Sequence, residues 1–300
     1  MSTKQSTNSA RIKIVLAMLI WGSLGIFAVK LGWPPPLVAS IRAITGAVFA
    51  AALVRNAGIK PDWQEIRRRL PYLATAGAFI GTNWILLFYG YMYTTVPIAT
   101  LCYYMAPVYV MIFSPLLFKE RLTPVKIFCV LMALCGTGLV SGIYESIVSG
   151  SSIGDMKGVY YSLVSGMLYA SVMLLNKKVT TVAAQSKTFV QMVAGALTIT
   201  PFALMTTDFT TLVFDIRSIS LLLILGLFHT GIAFHLFFSG VEGLPAQTTA
   251  LLSYIDPVSA IALAALLLGQ PLTATQAIGG CMILGATMIC EFFCNNKKEL

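Results

Sequence analysis

Few side chains able to do chemistry fall inside the long apolar stretches of this chain. They are Arg42, Asn83, Tyr103, Tyr104, His229, His235, Tyr254 and Asp256, with Trp21 and Trp84 as large aromatic neighbours. Such groups are costly in lipid and usually face a cavity or a partner. Asp256 is the most informative. It lies in SYIDPVSA, well inside its apolar run and directly before Pro257, whose ring removes a backbone donor and crowds the preceding turn. A carboxylate there carries a proton, answers an ammonium on a solute, or makes a structural hydrogen bond to Arg42 or a histidine. His229 is a second candidate for relaying a proton, since imidazole changes charge near neutrality. His235 is six residues on, about 240° around an α-helix, so the two cannot line one wall. Tyr104 and Tyr254 each precede a proline, Pro107 or Pro257, by three residues. With Trp21 they suit an aromatic enclosure for a cationic or aromatic solute, and the two prolines are candidate hinges. Asn83 is expected on the same cavity as His229. Arg42 reads as structural, either snorkelling outward or pairing with a carboxylate. Glu242 and Glu291 fall near helix ends and read as surface groups.

Other chemistries lack their signatures. There is no GxSxG elbow, no HExxH and no phosphate-binding loop, and the six cysteines contain no CxxC pair. Neither a metal nor a cofactor is expected, and no enzymatic activity. An intramembrane lipid-modifying enzyme with Asp256 and His229 as acid and base is the alternative from another class.

The elements that position these residues follow from composition. Of 300 residues 57% are hydrophobic and 10% charged, against about a quarter charged in soluble domains. The solvent of most of this surface must therefore be lipid. The net charge of +9 is scattered in short clusters rather than laid out as the continuous basic face that nucleic acid needs. Ten stretches meet the length of a spanning helix: 12–31, 35–54, 71–92, 95–118, 125–144, 157–176, 187–206, 218–239, 245–268 and 273–293. The run from Ile14 lacks a convincing cleavage site and reads as a retained helix rather than a signal peptide.

With the N-terminus inside, the inner side holds the Lys and Arg residues of 4–13, 55–69, 119–126, 177–187 and 297–298. The outer side holds only Lys30, Lys157 and Arg217. That bias places both termini in the cytoplasm. The packing motifs Gly77-xxx-Gly81 and Gly138-xxx-Gly142 allow helices to approach closely.

A shift of 150 residues lays 105–123 on 255–273 without a gap. Pro107 meets Pro257, Tyr104 meets Tyr254, Thr123 meets Thr273, Gly81 meets Gly231 and Gly90 meets Gly240. Near the front, WGSLG at Trp21 resembles SGMLY at Ser165. Five helices per half is an odd number, so the second half enters the membrane upside down, the inverted repeat of many secondary transporters with a midplane site. The expected organisation is a cytoplasmic tail 1–11, a first five-helix repeat 12–148, a second repeat 149–293 and a cytoplasmic tail 294–300. Asp256 has the apolar Ala106 as its mate, so the carboxylate is asymmetric.

These features together resemble the drug/metabolite transporter superfamily, in particular its ten-helix EamA-type members. The likeness rests on Pro107, then KERLT with Glu120, then ALCGTG at 133–138; and on Pro257, then GQPLT, then IGGCMILGAT at 278–287. Trp21 and Arg42 also fit the pattern, and the match covers nearly the whole chain beyond the first ten residues. Gln270 stands where the family's second acidic step would be, a departure expected to affect loop packing. The resemblance implies a secondary transporter of small organic metabolites such as amino acids, often an exporter; alternating access with proton coupling through Asp256 or His229 is the expected mechanism. Cationic drugs and nucleotide derivatives are also within the family's range. Without an ATPase module, transport would run on a gradient. The expected partners are a small-molecule solute and the lipid bilayer, with no nucleic acid. Oligomeric state is left open. The compact loops favour a bacterial inner membrane, although the terminal Lys297-Lys298-Glu299-Leu300 also fits an ER/Golgi retrieval signal.

Overall fold

The structure, a computed structural model, describes residues 2–56, 61–118, 123–142, 156–241, 243–244 and 246–295. Glu120, Tyr144, Glu242 and the Lys297-Lys298 tail lie outside these, as does the side chain of Glu291. Among the described residues there are helices and turns and no strand. Eight helical stretches are long and apolar enough to cross a membrane: Thr7–Leu31, Pro35–Asn56, Trp63–Tyr93, Val96–Phe118, Lys157–Lys178, Ala184–Thr206, Ile216–Val241 and Leu251–Leu268. Pro124–Val140 and Ala274–Cys290 are apolar but shorter. This is a multi-pass membrane protein.

The elements are α1 (Ser2–Gly22), α2 (Leu24–Leu31), α3 (Pro35–Asn56), α4 (Trp63–Tyr93), α5 (Val96–Tyr103), α6 (Ala106–Phe118) and α7 (Pro124–Val140). They continue as α8 (Lys157–Lys178), α9 (Ala184–Thr206), α10 (Ile216–Leu223), a π-helical stretch Ile224–Ile232, α11 (Ala233–Val241), α12 (Ala246–Ser253), α13 (Ile255–Leu268) and α14 (Ala274–Asn295). The third helix starts at Trp63 rather than at the expected residue 71. Asp62 caps it by accepting from the backbone N–H of Gln64 and Glu65 at 3.1 and 3.0 Å, and Arg69 donates to Glu65 one turn on at 2.9 Å. Pro71 therefore sits inside the helix. Local capping and an i,i+4 pair outweigh the one hydrogen bond that the proline removes.

Two helices are interrupted in register. The α5–α6 run breaks at Tyr104 and the α12–α13 run at Tyr254, 150 residues later. Both residues have near-zero ψ, 3° and −10°. The interruptions fall three residues before Pro107 and Pro257 rather than on them. A proline cannot donate to the carbonyl four residues back, so the ladder opens at Tyr103 and Ser253.

α1 packs on α11 and α13; α8 packs on α4 and on α5–α6; α3 packs on α9 and α7 on α14. Glycines set the closest crossings. A β-carbon at Gly136 would fall 2.6 Å from the Gly279 carbonyl oxygen, and one at Gly195 would fall 2.9 Å from that of Gly77. Gly77 and Gly81 both lie against α9, as a packing motif requires. Gly138 and Gly142 do not: among the described residues a β-carbon on either would meet nothing within 4 Å, and Gly142 adopts φ +76° beyond the end of α7. The glycine of that helix that makes the crossing is Gly136, two residues earlier.

Gln270 has a structural use. Its side-chain oxygen accepts from the backbone N–H of Val96 at 3.0 Å, satisfying an orphan donor at the start of α5. Gln270→Ala is expected to destabilise the protein by about 0.5–2 kcal/mol, the range of a lost helix cap. Gln270→Glu should keep the bond. Thermal unfolding in detergent compares them.

Candidate functional site

Asp256 stands in the first turn of α13, just past the interruption at Tyr254. Its Oδ2 accepts a hydrogen bond from the Tyr104 hydroxyl at 2.8 Å, so the carboxylate beyond one break is held by the residue at the other. The α12–α13 turn places Asp256 within the bundle, half-buried. Tyr103 and Tyr104 are likewise half-buried. Each of the three keeps part of its surface uncovered.

Three tyrosine rings cluster beside Asp256. The Tyr103 ring lies edge-on to Tyr104, 6.0 Å between centroids at 84°, and stacks on Tyr169 of α8 at 5.5 Å and 30°. Tyr169 is also within electrostatic range of Asp256. Tyr103 is hydrogen-bonded to Asn83, which is 1% exposed. Asn83 is fixed in turn by Ser165 of α8, whose hydroxyl lies 2.8 Å from its Oδ1 and 3.0 Å from its backbone oxygen. A carboxylate ringed by aromatic faces is the arrangement that attracts an organic cation, through charge and the ring quadrupoles.

His229 belongs to a different network. It lies in the π-helical stretch, a local widening frequent at functional positions. Its Nδ1 is 3.2 Å from the Ile224 carbonyl and its Nε2 3.0 Å from the Ser23 hydroxyl at the α1–α2 break. It is 1% exposed. Trp21 donates from Nε1 to the His229 backbone oxygen at 2.9 Å and packs against Phe234 and Phe237. Tyr254 turns toward α14, donating to Thr287 at 2.7 Å. So Asn83, Tyr104 and Asp256 come together through Tyr103, whereas Trp21 and His229 form a neighbouring pair and Tyr254 anchors the break to α14. His235 is exposed and meets the Phe49 ring edge-on. A separate cleft of about 400 Å³ by Trp33, Tyr89 and Met92 contributes no carboxylate, amine or imidazole. Among the described residues no cluster of His, Cys, Asp and Glu could hold a metal.

The model of the EamA-like transporter family matches the chain twice, over residues 8–142 and 156–291. The chain belongs to the EamA-like transporter family. Relatives include the uncharacterized transporter YxxF of Bacillus subtilis (strain 168), 27% identical over 284 residues that cover 94% of this chain and 89% of the relative. An uncharacterized transporter of Archaeoglobus fulgidus is 29% identical over 280 residues, 92% of this chain and 94% of the relative. A solved structure, described only as a crystal structure of a protein, superposes with TM-score 0.64 at 18% identity, covering 96% of this chain and 98% of its own. That likeness concerns the fold alone.

Within this EamA-like transporter, Tyr169 is the site residue that sequence reading overlooked. Its only sequence signal was position, four residues after Ser165 and so on the same face of α8. The Ser165–Asn83 bond carries a prediction. Ser165→Ala leaves a buried amide oxygen without its donor and is expected to destabilise by about 1–3 kcal/mol. Ser165→Thr should be milder, and thermal unfolding in detergent distinguishes the two.

Proposed function

We propose that the chain is a secondary transporter that moves a small organic solute bearing an amine, such as an amino acid, by alternating access. The observation that carries this reading is Asp256: a half-buried carboxylate inside the bundle, held by one tyrosine hydroxyl between two interrupted helices. Substrate ammonium or a proton would occupy the same carboxylate, which is the basis for coupling; His229 is the second proton-handling candidate. Pro107 and Pro257 act as hinges through the breaks they induce, and Asn83, Tyr104, Trp21 and Tyr254 line or brace the path.

The same reading takes the membrane part as ten spans in two inverted halves, 12–148 and 149–293. Pro124–Val140 and Ala274–Cys290 are each 17 residues, about 25 Å of helix, at the lower limit for a span. The double family match supports two halves. So does the exchange of packing roles: α1 against α11 and α13, α8 against α4 and α5–α6. Both termini are cytoplasmic by loop charge, the direction is export, and the location is a bacterial inner membrane.

The test is counterflow in proteoliposomes with a panel of labelled amines, amino acids and organic acids, with and without an imposed pH gradient. Saturable flux of amine-bearing solutes is the expected result. Lipid turnover without flux of any solute would point to a membrane-embedded enzyme and defeat the proposal.

A further inference from the structure

We infer that the solute is a zwitterion, with Arg42 receiving its carboxylate while Asp256 receives its ammonium; this rests on the transport reading above and extends it. Arg42 projects from α3 and is 2% exposed. Its Nε donates to Thr230 at 3.2 Å, and its Nη1 is buried with no hydrogen-bond partner. No carboxylate pairs with it: among the described residues the ion pairs join Glu65 to Arg68 and Arg69. The guanidinium carbon lies over Trp84, 4.3 Å from the ring centroid, and 5.4 Å from that of Phe88. Aromatic faces hold the cation in place but satisfy none of its N–H edges.

A buried guanidinium with an unanswered donor calls for an anion, and its planar fork fits a carboxylate with two parallel bonds. The position of Arg42 supplies the second half of the argument. Tyr91 and Tyr103 each lie within electrostatic range of both Arg42 and Asp256. A chain of contacts also joins the two charges: Arg42 lies over Trp84, the neighbour of Asn83, which holds Tyr103; Tyr103 packs on Tyr104, and Tyr104 holds Asp256. A purely cationic solute would answer Asp256 and leave Arg42 repelling it. A purely anionic one would meet the reverse. Only a molecule with both charges complements the pair.

The experiment uses the purified full chain and thermal shift, because a ligand of the folded state raises its stability by mass action. The probes are leucine and phenylalanine, each as the free amino acid, the methyl ester and the N-acetyl derivative, together with β-alanine and γ-aminobutyrate to vary the charge spacing. At least one zwitterion is expected to bind wild type roughly tenfold to hundredfold more tightly than its ester, the size of a hydrogen bond to a charged group. Arg42→Gln should erase that preference while ester binding persists. Arg42→Lys keeps the charge without the fork and should retain part of it, which preserves the test if Arg42→Gln folds poorly. Esters binding as well as zwitterions in wild type would overturn the role of Arg42 and leave the amine reading standing. If no probe shifts the transition in wild type, both fall together.

Discussion

Asp256→Asn is expected to lower solute flux at least thirtyfold while leaving the folded protein intact. The substitution preserves shape, and the amide oxygen still accepts from Tyr104, whose present bond is 2.8 Å. What disappears is the charge. Losing one partner of a buried, hydrogen-bonded charge pair costs about 2–5 kcal/mol, or roughly thirtyfold and upward in a binding constant. The penalty falls on the bound state because, among the described residues, no cation pairs with the carboxylate. Tyr104→Phe supplies the graded comparison: it keeps the ring and removes the donor, so an effect of about tenfold is expected, that of a lost hydrogen bond to a charged group. Flux under an imposed pH gradient and thermal unfolding should be measured on the same preparations. Wild-type flux in Asp256→Asn, with unchanged response to the gradient, would remove Asp256 from the mechanism.

The parts of this site that were legible in the sequence are those written in covalent chemistry. A carboxylate beside a proline in an apolar run announces itself, as does a pair of tyrosines 150 residues apart. Which groups face one another was not legible. Tyr254 and Trp21 had the same credentials as Tyr104, yet Tyr254 turns to Thr287 and Trp21 to the His229 carbonyl. Those choices depend on how α11 and α14 pack, which no single stretch encodes. The angular argument for the two histidines assumed an even α-helix, whereas Ile224–Ile232 is π-helical, so residue spacing there does not convert to angle at the ordinary rate. Tyr169 went unnoticed because an aromatic residue on an apolar helix reads as lipid-facing until a partner such as Tyr103 is known. The start of α4 was missed for the opposite reason. Its basic segment signals a loop by charge, while the cap at Asp62 and the Glu65–Arg69 pair act locally to make it helical.

Gly166→Ala and Gly22→Ala are expected to impair the protein far more than the size of a methyl group suggests, because each glycine rests on the backbone of an interrupted helix. A β-carbon at Gly166 would lie 2.7 Å from the Tyr103 carbonyl oxygen, and one at Gly22 would lie 2.7 Å from that of Asp256 while also striking the Ser259 hydroxyl. Flexible side-chain tips can yield to a methyl group; a backbone carbonyl next to a break can yield only by moving the break. Overpacking of this kind costs about 1–3 kcal/mol, seen as a lower unfolding temperature. Flux should fall as well, since the residues displaced are Tyr103 and Asp256 themselves. Gly138→Ala is the matched control. Among the described residues a β-carbon at Gly138 would meet nothing within 4 Å, so alanine there is expected to be neutral or to stabilise by up to about 1 kcal/mol through helix propensity. If Gly166→Ala behaved like Gly138→Ala in both stability and flux, α8 would not be seated on the Tyr104 break, and the tyrosine cluster beside Asp256 would lose the helix that supplies Tyr169.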